Sequence, residues 1–86
     1  MNEILNDLHS LLDYVTKSTP HHRFLPYIAE DINAMINELN DTNIISDKLE
    51  KMALGLGIFI SDDFEFSESE IGIKILNVVN SIIKSE

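Results

Sequence analysis

Asp62, Asp63, Glu65, Glu68 and Glu70 fall within a single ten-residue stretch, Ser61 to Glu70, that contains no basic residue. Closely spaced carboxylates and hydroxyls are the ligand set of a hard cation such as calcium. A calcium loop also needs oxygens at alternate positions, a central glycine for the turn and a terminal bidentate glutamate. Here Phe64 and Phe66 stand where oxygens are required, so no metal is expected. Two of the five acids have a structural use. Ser67 followed three residues later by Glu70 has the spacing of a capping box, and carboxylates in the first turn of a helix gain ~0.3 to 1 kcal/mol each from the helix dipole. Asp62, Asp63 and Glu65 remain. With Phe64 and Phe66 on one side of an extended segment, they form either a plug with a solvated rim or a pair of aromatic anchors ringed by steering charge.

The other chemistry-bearing residues point away from catalysis. His21 and His22 are adjacent, whereas helical metal ligands pair at i and i+4, so they do not share an ion. His9 sits at the border of an apolar stripe and reads as packing. There is no cysteine, no GxSxG, no GxGxxG and no phosphate-cradling glycine loop. A helical chain this small is also expected to lack an enclosed pocket of several hundred cubic ångströms. The expectation is a protein that is not an enzyme and carries no cofactor.

Charge narrows the partners. Fifteen acids against six Lys and Arg leave a formal charge of −9, which repels phosphate backbones and anionic lipid surfaces. Neither direct nucleic-acid binding nor membrane binding is expected. The longest apolar run, Ala53 to Ile60, falls far short of the ~20 residues that span a bilayer. The N-terminal residues MNEILNDLHS carry acids where a secretory signal carries positive charge, and with no cysteine in the chain the expected location is cytoplasmic.

Helices must position these residues. Ile4, Leu8, Leu11 and Val15 recur at helical spacing and predict a first helix over about 2 to 17, followed by a short connection through Ser18, Thr19 and Pro20. Leu25, Ile28, Ile32, Met35, Ile36 and Leu39 predict a second over 25 to 39, with Asn40 to Asn43 as a loop. A third starts near Asp47, whose spacing to Glu50 suggests a cap, and runs through Leu49, Met52, Ala53, Leu56 and Ile60. Leu54 and Ile58 project from its opposite side, separated by Gly55 and Gly57, so its second half is apolar all round. A fourth begins near Ser67 and buries Ile71, Ile75, Val78, Val79 and Ile82, leaving Ile73 alone on its polar side. The predicted fold is a single all-α domain, residues 1–86, built as a small four-helix bundle. The alternative is an α+β fold with a short hairpin around residues 57–66, since Ile71, Ile73 and Ile75 alternate. That alternation fails beyond Ile75.

The expected function is an acidic protein-binding module that covers a basic surface on another protein through Asp62, Asp63, Phe64, Glu65, Phe66 and Ile73. In size, acidity and helix number the chain resembles the small immunity proteins that protect bacteria from nuclease bacteriocins, although it carries none of their motif residues. That resemblance implies an inhibitor of a toxin or nuclease. The alternative is a helical adaptor that forms a homodimer through the apolar second half of the third helix.

Overall fold

The computed structural model describes residues 2–18 and 25–84. They form α1 (Asn2–Ser18), α2 (Leu25–Thr42), α3 (Asp47–Ser61), α4 (Phe64–Glu68) and α5 (Glu70–Lys84), with no strand among the described residues. The small helical bundle is therefore as the hydrophobic periodicity predicts, and the hairpin alternative is ruled out: residues 57–61 complete α3, and residues 64–66 open an additional one-turn helix, α4. The connection at 19–24, with His21 and His22, lies outside the described residues, as does the side chain of Phe64.

The four long helices form a ring in which α1 packs on α2 and α5, and α3 packs on α2 and α5; α4 closes one end against α3 and α5. The stripes read from the sequence meet in a common core that includes Leu8 and Val15 of α1, Ile28 and Ile32 of α2, Leu49 and Ile60 of α3, and Ile75 and Ile82 of α5. Each such side chain contributes ~1.5–3 kcal/mol by leaving water. No polar or charged side chain among the described residues is buried with them.

Residues 40–43 do not form the expected loop. The helix continues to Thr42, whose hydroxyl donates to the Glu38 carbonyl at 3.0 Å. Asn43 then takes a left-handed φ of 56° and returns its N–H to the Leu39 carbonyl at 2.8 Å, an ending that asparagine tolerates better than most residues. The turn-forming residues finish α2 instead of replacing its last turn. At the next start the cap is Ser46, not Asp47. Its Oγ accepts the Leu49 N–H at 3.1 Å and donates to Glu38 Oε2 at 3.0 Å, tying α2 to the positive end of α3.

The Ser67–Glu70 capping box is also corrected. Asp63 Oδ1 accepts the Phe66 N–H at 3.0 Å and starts α4, so Ser67 lies inside a helical turn with its N–H on the Asp63 carbonyl at 2.8 Å. Ser69 then caps α5: it is extended, and its Oγ accepts the Gly72 N–H at 3.1 Å. The close return of α4 onto α5 depends on Gly72, which is buried. A Cβ there would overlap the Phe66 carbonyl and lie 3.1 Å from the Ser67 Cα.

Two glycine substitutions test this packing. Gly72→Ala forces backbone against backbone and is expected to lower stability by about 3 kcal/mol in urea unfolding, as overpacking at a rigid site does. A loss below about 1 kcal/mol would show that the α4–α5 corner adapts. Gly55→Ala adds a Cβ that meets nothing within 4 Å. In dilute protein it is expected to stabilise α3 by about 0.5–1 kcal/mol, the ordinary cost of a helical glycine.

Candidate functional site

The chain reversal from α3 into α5 gathers the acidic stretch at one corner of the bundle. Asp62 caps the C-terminal end of α3, Asp63 the N-terminal end of α4, and Glu65, Glu68 and Glu70 follow on α4 and the first turn of α5. All but the half-buried Asp63 are exposed. The ion pairs found among the described residues lie elsewhere, Lys17–Asp13 at 3.0 Å and Lys48–Glu38 at 3.7 Å, so none of these five carboxylates is paired to a cation there.

The aromatic residues are arranged differently from the sequence reading. Residues 64–66 are helical, not the extended segment from which the sequence reading placed two aromatic side chains together. Phe66 is 5 % exposed and belongs to the core, which removes it as a partner anchor in this fold. The aromatic residue that does reach the acidic rim is Phe59, 44 % exposed, which with Asp62, Asp63 and Phe66 lines a hollow of about 250 Å³. Phe59 was not singled out by pattern because it sits one step off the Leu56–Ile60 stripe, where a helix flank and a core edge look alike.

Ile73 is exposed, as its place on the polar side of α5 predicts, but it does not join the aromatic corner through Phe66. Ile73, Leu76, Asn80 and Ile83 recur at i, i+3, i+7 and i+10, so they run along one flank of α5. The last three line a groove of about 320 Å³ whose opposite wall is Leu54 and Ile58 of α3. Gly57 forms part of its floor because a Cβ there would come within 3.2 Å of Val79 Cγ1. Ile58 and Leu54 remain 63 % and 43 % exposed. The two surfaces meet at Asp62, which lines both the groove and the hollow beside Phe59.

A third concavity is an open cleft of about 360 Å³ between α1 and α5. Its mouth holds Lys74, with Nζ 5.2 Å from the centroid of the Tyr14 ring, a cation–π contact that ties α5 to α1. Partial burial first, and the adjacent Glu30 carboxylate second, raise the carboxyl of Asp31 above its ordinary 3.8. Asp31 lies on α2 and lines none of these three concavities. Among the described residues no group of three or more His, Asp and Glu is placed to hold a metal ion, and no helix is long and apolar enough to cross a membrane. Compared with protein-family models, curated proteins and solved structures, the chain matches none.

The structural and solvent-facing acids separate by mutation. Asp63→Ala removes the α4 cap and is expected to cost about 1 kcal/mol, while Asp63→Asn keeps a capping oxygen and costs little. Asp62→Asn and Glu65→Gln are expected to leave the unfolding midpoint unchanged. A large loss with either of these two would show that the corner acids hold the fold together.

Proposed function

We propose that this chain is a non-catalytic, cytoplasmic protein-binding module of the inhibitor or immunity type, whose acidic corner masks a basic surface on another protein. The observation that carries the reading is the corner itself: five carboxylates within nine residues and without a cationic partner among the described residues, two of which, Asp62 and Asp63, line a hollow beside the half-exposed Phe59. Like charges brought this close repel one another in the free chain, and a cationic surface relieves that repulsion when it docks. The charges then serve mainly to speed and orient the encounter, while the aromatic ring supplies affinity at the centre. Phe59 takes the anchoring role that the sequence reading gave to Phe66, beside Phe64.

The test is affinity capture from the native host's lysate at low and high salt. Three baits are compared: wild type, a variant carrying Asp62→Asn, Asp63→Asn and Glu65→Gln, and Phe59→Ala. The proposal predicts that wild type retains a basic protein at low salt, that high salt or the triple substitution releases it, and that Phe59→Ala weakens retention at any salt. Capture of the same proteins by the wild type and the triple variant would overturn it.

A further inference from the structure

We infer that the α3–α5 groove is the contact face of a homodimer, in which a second copy of this chain lies antiparallel across it. The exposed Leu54 and Ile58 of α3 and the half-buried Leu76 and Ile83 of α5 line this groove, and the exposed Ile73 stands three residues before Leu76 on the same flank of α5, so an apolar strip runs along two neighbouring helices. Of the other exposed large apolar residues, Phe59 belongs to the acidic corner, and Tyr27 on α2 and Ile44 before α3 are scattered single residues that need no such explanation.

Charge identifies the occupant. On α3, Lys51, Leu54, Ile58 and Asp62 fall on one stripe at i, i+3, i+7 and i+11. On α5, which runs back alongside α3, Glu70 begins the helix that carries Ile73, and Lys84 ends it. Although Asp47 and Glu50 also lie in the first turn of α3 and Lys74 lies one turn into α5, the residues chosen by these stripes place an acid at the end nearest α4 and a base at the other, with apolar residues between, and all four are exposed. A strip of this pattern complements itself. A two-fold axis across the helices lays α3 on the partner's α3 and α5 on the partner's α5, each pair antiparallel. Lys51 then faces the partner's Asp62, and Lys84 faces the partner's Glu70. A two-fold axis along the helices would instead set bases against bases and acids against acids, so the charge pattern selects the first arrangement.

Gly55 adds an independent observation. Unlike Gly57 and Gly72, it has no neighbour within the chain that a Cβ would meet, yet it occupies the middle of a helix where glycine is unfavourable. Near the centre of an antiparallel α3 pair, the missing side chain lets the partner's Ile58 approach the α3 backbone. Pairing through this face leaves the Phe59 hollow accessible, because Phe59 lies about 100° around α3 from Ile58. The two surfaces share Asp62, and the dimer also engages Glu70, but they are read by different measurements: sedimentation reports copies of this chain alone, and Phe59→Ala touches only the hollow.

Sedimentation equilibrium on the full chain at about 100 µM, well above a micromolar dissociation constant, is expected to report twice the 9.8 kDa chain mass. Ile58→Glu, at a solvent-exposed position, is expected to give a monomer with unchanged helical circular dichroism. Lys51→Glu and Asp62→Lys are each expected to weaken self-association roughly tenfold, and an equimolar mixture of the two is expected to recover it, because opposite charges then face each other again. A wild type that stays monomeric, a dimer that survives Ile58→Glu, or single charge reversals that strengthen association would each overturn the inference.

Discussion

The absence of a side chain at Gly72 is the constraint on which the functional half of the molecule depends. Only there can the Phe66 carbonyl and the Ser67 backbone settle against the first turn of α5. That seat turns the chain within the few residues between α3 and α5, places Phe66 in the core and leaves α3 and α5 as antiparallel neighbours. The turn is too short to bury its own charged residues, so its acids gather at the corner, around the exposed edge of Phe59. Ser69 completes the turn by bonding to both sides of it, accepting the Gly72 N–H and donating to the Phe66 carbonyl.

What the sequence discloses follows from how local each signal is. The stripes of α1, α2, α3 and α5 are legible because apolar residues recur at helical spacing over four or more turns, and burial follows them closely. The caps are less legible. Asp63, Ser67 and Ser69 are all competent N-caps within seven residues, and the choice among them depends on where Gly72 allows α4 to pack, a tertiary contact that no local pattern reports. The same contact decides that Phe66 is core. Ile73 is visible as an anomaly on α5, but the groove between Leu54 and Ile58 of α3 and Leu76 and Ile83 of α5 emerges only once the two helices are packed together.

The two surfaces differ in physical character and share a boundary. The Phe59 corner is one-signed and suits a cationic partner, with an encounter that weakens as salt rises. The α3–α5 face is apolar with opposite charges at its ends, so it suits a copy of itself, and its association is governed more by removing Leu54, Ile58 and Ile73 from water. Asp62 stands at the junction, facing the groove on one side and the hollow on the other. In the dimer we infer, the two corners would lie at opposite ends of the assembly, each with its Phe59 hollow facing away from the shared face.

The central claim is that α3 and α5 keep an apolar outer face because another copy covers it. Isotope-filtered NOE spectroscopy on a mixture of labelled and unlabelled chains tests this most directly, since it detects only contacts between copies. The account predicts cross-peaks from the methyl groups of Ile58 to the partner's Gly55 and Ile58, with Leu76 and Ile73 of α5 meeting α5 of the partner. Cross-peaks confined to other faces, or none at millimolar protein, would contradict it.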